Sequence, residues 1–562
     1  MPVEEFRTLV DERGAAARPL GWLIELLSRD EGVPFDALVR ATALPRRMVE
    51  EALAALGDDV EPFEGAAPVR LRREAVPVYA GVVPGPPAGV AGPPPAGSQV
   101  PEGLVDALAA AIAAAPRARH ELDHVAATAE TVARRAAWLA STFALAGRRV
   151  LFLGDHDLTS LGLAAVEPRA QMAVADLDED VLAHIGGSPL GGGRIACAWT
   201  DVRLGLPRWL RGWADVVVTD PPYTPEGIGL FARRGLEGLA DHGSGRLVVA
   251  YGYGDRPGLG LKVQDALADL RLAYEAILPG FNRYVGAQAI GSASNLYVLR
   301  PTAATRRTLA KAPTGDANVY THGSQSLEGG DAPLTPEDAA AVVAVARGDE
   351  TVVQGAGAQA PLPVGLAVGA GWPDGTAPGG RVSLTACLAP TTPESSPARG
   401  RDDAAVVDLR HDPGSLLLRV LLGVQARRVA VLVPNDHPDL ADAAGQEALR
   451  ALVAPRLSLH YRRSTPGPKL AIVEATVVPV PTDPGERAGR AVLDRPHATI
   501  ANAAREALIK ASSAAGTPLT KNEARARVAE ALPPATAAST LLDLPRSALP
   551  SLVEALTDLT GR

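Results

Sequence analysis

The chain of 562 residues is too long for one hydrophobic core, and ordinary domain size divides it into about three or four units. Its formal charge of −9, from 55 basic and 64 acidic residues, gives no overall electrostatic reason to hold nucleic acid and favours cationic ligands instead. Two distant cysteines, Cys197 and Cys387, exclude a disulfide framework and a cysteine-built zinc site, and no metal is implied. With no signal-peptide core and no run of about 18 apolar residues, the expectation is a cytoplasmic protein that makes no use of a membrane.

Residues 1–80 hold three helical patterns, "PLGWLIELLSRD", "PFDALVRATA" and "PRRMVEEALAAL", followed by a strand pair, an order that predicts a winged helix. Its turn "ATALPRR" raises DNA binding, but Arg46, Arg47, Arg70, Arg72 and Arg73 are outnumbered by acids between Glu50 and Glu74. A docking or dimerisation module is the plainer reading. Residues 81–103 are rich in proline and glycine and form an extended linker.

Residues 104–310 begin with helical periodicity, in which His124, Thr128, Thr131 and Arg135 make a polar stripe beside an apolar one. By default that stripe faces solvent; alternatively it lines a cleft. From 148 to 300 apolar strands alternate with helices, the pattern of a Rossmann-like, doubly wound parallel sheet with its ligand at the carboxyl ends of the strands. Residues 311–400 read as a loop-rich connector, with Tyr320, His322 and Glu328 over the cleft. Residues 401–485 read as a second, smaller α/β unit, and 486–562 as helices forming a cap or an oligomer contact, such as that of a homodimer. The fold class is therefore α/β, with a central methyltransferase-type sheet.

Chemistry gathers at the strand ends. Asp176 in "VADLDED" is placed to accept from ribose hydroxyls, with Asp178 as a second candidate, and Asp201 in "TDVR" to accept from an adenine amino group. Capping is the structural alternative for each. "VTDPPYTPEG" matches the Asp-Pro-Pro-Tyr loop of adenosylmethionine-dependent amino methyltransferases, in which Pro221 and its neighbour stiffen the loop so that Asp220 holds an amine in line for attack. "GDHD" departs from that class. Gly154 keeps the turn, but Asp155, His156 and Asp157 stand where glycines would bind a ligand carboxylate. Like charges about 4 Å apart repel by roughly 4 kcal/mol at an effective dielectric of about 20, so these acids suit a donor without that carboxylate. Decarboxylated S-adenosylmethionine is such a donor. The amine that attacks it must first lose a proton, a task given to Asp157, with Asp155 and Asp220 positioning cations and His156 auxiliary.

Across about 119–300 the chain resembles the branched-chain polyamine synthases, the N4-bis(aminopropyl)spermidine synthases, in "RHELDHVAATAETVARRA", "FLGDHDLTS", "VADLDED", "TDVRLGLP", "VTDPPYTPEGIGLFARRG", "PGFNRYV" and "SNLYVL". The resemblance implies an N-terminal winged helix, a Rossmann-like catalytic domain, and aminopropyl transfer to a polyamine such as spermidine with release of methylthioadenosine. The family's catalytic acid, last in its Gly-Asp-Asp-Asp motif, falls on Asp157. Two positions depart from the family: His156 is the middle acid there, and Tyr223 replaces an acid after Asp-Pro-Pro, a charge that Glu226 restores if the loop folds back. Phe281, Asn282 and Tyr284 are candidates for a pocket wall that takes ammonium groups, with structural packing as the alternative. The competing reading is methyl transfer from intact S-adenosylmethionine through the Asp-Pro-Pro-Tyr loop.

Overall fold

Short apolar runs of four to six residues build the first five strands of the central sheet, and because both faces are covered they lack in–out alternation. The computed structural model describes residues 2–63, 66–85, 100–286, 290–311, 334–349, 361–369, 371–373, 380–388, 399–412 and 414–561. Tyr320, His322 and Glu328 lie outside these residues. No helix among the described residues is long and apolar enough to cross a membrane.

The amino-terminal unit comprises helices α1 (Pro2–Arg13), α2 (Arg18–Leu27), α3 (Phe35–Thr42), α4 (Arg46–Leu56) and α5 (Val76–Tyr79) with strands β1 (Val33–Pro34), β2 (Val60–Phe63) and β3 (Ala66–Leu71). The strands pair antiparallel in the order β1-β3-β2 over a core that includes Phe6, Leu23, Leu38 and Val49. Arg46 and Arg47 on α4 each pair with a glutamate one turn on, Glu50 and Glu51.

The central domain runs through α6 (Leu104–Ala113), α7 (Ala129–Thr142), β4 (Arg149–Leu153), α8 (Thr159–Val166), β5 (Gln171–Asp176), α9 (Glu179–Gly187), β6 (Ile195–Trp199), β7 (Val216–Thr219), α10 (Pro225–Gly238), β8 (Arg246–Tyr251), α11 (Pro257–Asp269), β9 (Leu272–Arg283), β10 (Ala293–Pro301) and α12 (Ala303–Lys311). The sheet order is β6-β5-β4-β7-β8-β10-β9, with β10 antiparallel to both neighbours. The strand order reverses between β4 and β7, which is where such a sheet opens a crevice for a ligand. Arg18 is buried and donates to the carbonyls of Ala140 and Phe143, tying the amino-terminal unit to the last turn of α7. Phe281 and Asn282, expected in a pocket wall, lie near the end of the twelve-residue strand β9, which pairs antiparallel with β10, and Tyr284 follows directly after it.

A second sheet follows, from α13 (Pro336–Arg347), β11 (Val364–Val368), β12 (Arg381–Val382), α14 (Leu384–Leu388), β13 (Arg399–Asp408), α15 (Leu416–Gly423), β14 (Gln425–Pro434), α16 (Ala443–Val453), β15 (Leu457–Arg462) and β16 (Leu470–Val477). Its order is β12-β11-β13-β14-β16-β15, parallel through β14 and antiparallel at β16 and β15. Two of these strands come from the stretch read as a loop-rich connector: "VGLAV" is buried and parallel, so its small residues carry no alternation to read. Helices from Pro484 to Gly561 complete the chain, and one apolar cluster spans the central sheet, the second sheet and these helices.

Candidate active site

The crevice forms where β4, β5 and β7 end. Gly154 closes β4 at φ +67°, a left-handed conformation that glycine adopts without strain, and Leu158 adopts φ +61° four residues later. Between them the three polar side chains take different directions. Asp155 turns inward and accepts from the N–H groups of Thr159 (2.9 Å) and Ser160 (3.1 Å), capping α8. Burial pushes its carboxyl up to about 7, and both oxygens accept from the first turn of α8, a capping role beside the cation-positioning one expected of it.

Asp157 sits under α7. Its Oδ1 accepts from the Ala127 N–H (2.7 Å) and its Oδ2 from Arg135 (2.8 Å). Burial alone would raise this carboxyl, but His156 and Arg135 hold it at about 2. Asp220, beyond β7, accepts on Oδ2 from Arg135 (2.7 Å) and Tyr284 (2.7 Å) and on Oδ1 from Tyr223 (2.9 Å). Burial raises Asp220 to about 6 against the pull of Arg135, and the neighbouring Asp157 charge adds to the rise. Two carboxyls that share one guanidinium are thus driven apart.

Arg135 holds the site together. It is buried on α7, and its guanidinium also donates to Asn282 Oδ1 (2.7 Å). Burial opposes its charge, yet Tyr284, Asp157 and Asp220 keep it firmly protonated. The polar stripe of α7 therefore faces the site, against the default solvent reading. The helix starts after Thr128, which caps it by accepting from the Thr131 N–H (3.2 Å), so His124 precedes it in the chain.

His156 and His124 stack with ring centroids 4.4 Å apart. Burial opposes charge on His156, but Asp157, Asp220 and Asp176 raise it, whereas burial and the neighbouring His156 charge push His124 well below the ordinary range. The two stacked imidazoles are thus pushed in opposite directions, His156 toward the charged form and His124 away from it. A cleft of about 470 Å³ lies on one side, lined by Gly154, Asp176, Thr200, Asp220, Pro222 and Phe231 among others. A second cavity of about 460 Å³ shares the two histidines and is lined by Asp157, Leu158 and Val181.

The remaining expected residues divide clearly. Asp176 lines the cleft while accepting from the N–H groups of Asp155 and Asp178 (both 2.8 Å). Asp178 instead caps α9 through Asp180 and Val181. Asp201 is not open to an adenine, because Arg203 donates to both its oxygens and Thr200 and Val202 line the cleft in its place. Pro222, not Pro221, faces the cleft. Glu226 is exposed in the first turn of α10, where its charge suits the helix dipole, and restores nothing to the site. Phe281 packs edge-on against Trp138, whereas Asn282 and Tyr284 reach Arg135 and Asp220. Sequence reasoning gave no role to Ser294, whose hydroxyl lies 2.8 Å from that of Tyr284 and accepts from Asn282 (2.9 Å). Among the described residues, no cluster of three or more His, Cys, Asp or Glu could hold a metal ion.

Strand order, the antiparallel seventh strand and acids beyond the first, second and fourth strands define a methyltransferase-type Rossmann domain. Residues 104–306 match the model of the branched-chain polyamine synthase A C-terminal domain, and this domain belongs to the branched-chain polyamine synthase family. The N(4)-bis(aminopropyl)spermidine synthase of Thermococcus kodakarensis is 34% identical over 130 residues, 23% of this chain and 37% of that one. Its namesake from Methanocaldococcus jannaschii is 32% identical over 126 residues, 22% and 36% of the two chains. An uncharacterised protein of the latter organism is 37% identical over 174 residues, 30% of this chain and 43% of its own. The chain thus spans less than half the length of each of these curated relatives. The Thermus thermophilus branched-chain polyamine synthase, solved with N4-aminopropylspermidine and 5'-methylthioadenosine, aligns at 20% identity and TM-score 0.32, covering 53% of this chain and 92% of its own.

Proposed function

We propose that the protein transfers an aminopropyl group from decarboxylated S-adenosylmethionine to an amine of a spermidine-like polyamine, giving a branched polyamine and methylthioadenosine. The observation that carries this reading is the state of the Gly154 turn. Five N–H groups in and beside it, those of Gly154, Asp155, Leu158, Thr159 and Ser160, are given to protein acceptors, and Asp155 and Asp157 stand between them, an arrangement that suits a donor without a carboxylate. The nucleoside is assigned to the 470 Å³ cleft, with Asp176 facing its ribose. A cationic arm is assigned to the cavity beside Asp157, whose carboxyl, held at about 2, stays anionic at neutral pH.

Asp157 and Asp220 titrate as a pair about Arg135, and because His156 and Arg135 hold Asp157 the lower of the two, the proton is assigned to Asp220 in place of the expected Asp157. Asp220 lines the nucleoside cleft and is raised to about 6, nearer the range a general base needs. In the step proposed, Asp220 takes a proton from the acceptor ammonium, and the freed nitrogen attacks the methylene carbon next to sulfur. The carbon–sulfur bond breaks with its electrons moving to sulfur, leaving a neutral thioether and a new carbon–nitrogen bond. The amino-terminal unit is read as a winged helix used for docking, since Arg18 ties it to α7 and Arg46 and Arg47 are paired within their own helix.

Calorimetric titration with intact and decarboxylated S-adenosylmethionine, then addition of spermidine and detection of methylthioadenosine by mass, tests the reaction. Preference for the decarboxylated donor with methylthioadenosine release is the expected result. Preference for the intact donor with adenosylhomocysteine as product would replace it with methyl transfer through the Asp-Pro-Pro-Tyr loop.

A further inference from the structure

The second sheet repeats the first. Taking β11, β12, β13, β14, β15 and β16 as counterparts of β4, β5, β7, β8, β9 and β10, the strand order and every strand direction coincide, and among the described residues only β6 has no counterpart. The correspondence holds at residue level. Leu153 pairs with Thr219 in the first sheet, so Gly154 and Asp220 follow side by side; Val368 pairs with Val407 in the second, so Gly369 and Asp408 follow. Gly369 also has positive φ, at +110°.

Among the described residues, the ligand edge of this repeat beside Gly369 is occupied by its own side chains. Asp408 accepts from Arg410 Nε (3.0 Å) and Nη2 (2.9 Å), and a Cβ on Gly371 would lie 2.5 Å from Asp408 Oδ2 and 2.8 Å from Arg410 Nη2. The ion pair therefore occupies the space over the glycine turn. Where β5 ends in Asp176, β12 ends at Val382 and is followed by Ser383, so the ribose acceptor is missing too.

The closed repeat nevertheless grips the open one. Arg419, on the helix that follows β13, is fully buried, pairs with Glu179, and sits 4.5 Å from the Trp199 ring centroid. Glu179 also accepts from the Arg546 N–H (2.8 Å), and the Asp543 carbonyl accepts from the Trp199 N–H (2.8 Å). Glu179 directly follows the loop Asp176–Asp178, and Trp199 directly precedes Thr200, so both cleft-lining loops after β5 and β6 are held from the carboxyl-terminal half.

We propose that the carboxyl-terminal half is a second, ligand-closed copy of the same sheet that serves as a clamp on the nucleoside loops, with Arg419 as the positioning residue that sets nucleoside affinity. This rests on the cleft being the nucleoside site. The test titrates the full chain with methylthioadenosine and measures donor kinetics for the parent, Arg419→Met, Arg419→Lys and Glu179→Gln. The expected result is one nucleoside per chain, at least tenfold weaker binding and a raised donor KM with little change in kcat for Arg419→Met, and partial recovery in Arg419→Lys. Glu179→Gln keeps the shape of its side chain and should weaken binding in the same direction, which keeps the test decisive if Arg419→Met fails to fold. Two nucleosides per chain, or parent-like affinity in folded Arg419→Met or in Glu179→Gln, would overturn the clamp and leave the cleft assignment standing. A parent chain that binds no methylthioadenosine would overturn both.

Discussion

Two carboxyls around one guanidinium make roles separable at the level of single residues. With Asp220 at about 6, its carboxylate form is scarce below that pH and dominant above it, so kcat/KM should rise through about pH 6 and then level. Asp220→Asn should lower kcat by about 10²–10⁴-fold and abolish that limb, while nucleoside affinity changes little. Asp157→Asn should act chiefly on KM for the cationic substrate and keep the limb; the opposite pattern in a pH–rate series would return the base to Asp157. Arg135→Met leaves both acids buried without their cation, a change that costs about 3–5 kcal/mol, and denaturant melts should register it. A variant as stable as the parent would show that the acids are solvated rather than paired.

The strand ends were legible because each β–α connection leaves a sequence mark: "GDHD", "VADLD" and "VTDPPY" all fall at the crevice. What each acid does there was not legible. Asp155 and Asp157 are two residues apart in the same motif, yet the left-handed turn at Leu158 sends one into the cap of α8 and the other under α7. Arg135 was hidden for a related reason, since a polar stripe reads alike whether it meets water or a buried carboxylate, and only the pairing of α7 with the end of β9 decides. The capping role of Asp155 has its own consequence for stability. Between about pH 4 and 7 the unfolded chain ionises this carboxyl while the folded one, at about 7, keeps its proton. Stability contributed by the group therefore falls as pH rises across that window and is constant above it. Asp155→Asn cannot ionise but still accepts from the N–H groups of Thr159 and Ser160, so urea unfolding at pH 4.5, 6 and 7.5 should give a shallower decline than in the parent. Equal slopes would mean that Asp155 is charged in the fold.

At the scale of the whole molecule the two sheets are one physical object. The family model ends at residue 306, yet the apolar cluster around β4 and β5 continues without a break into α15, β14 and the last helices. Leu417, Leu421 and Val431 are fully buried within it, as are Val132 and Val150 on the other side. A surface of this kind cannot be bared cheaply, because apolar area returned to water costs about 25 cal/mol per Å² and domain stability totals only about 5–15 kcal/mol. A fragment ending at Lys311 keeps every residue assigned to the reaction but loses the cover over α9 and the partners of Glu179 and Trp199. It should elute as aggregate, or as a species with far-UV but no near-UV circular dichroism, and should not bind methylthioadenosine. A monomeric fragment with a cooperative melt and parent-like nucleoside affinity would mean that the family domain stands alone and that the second sheet serves another purpose.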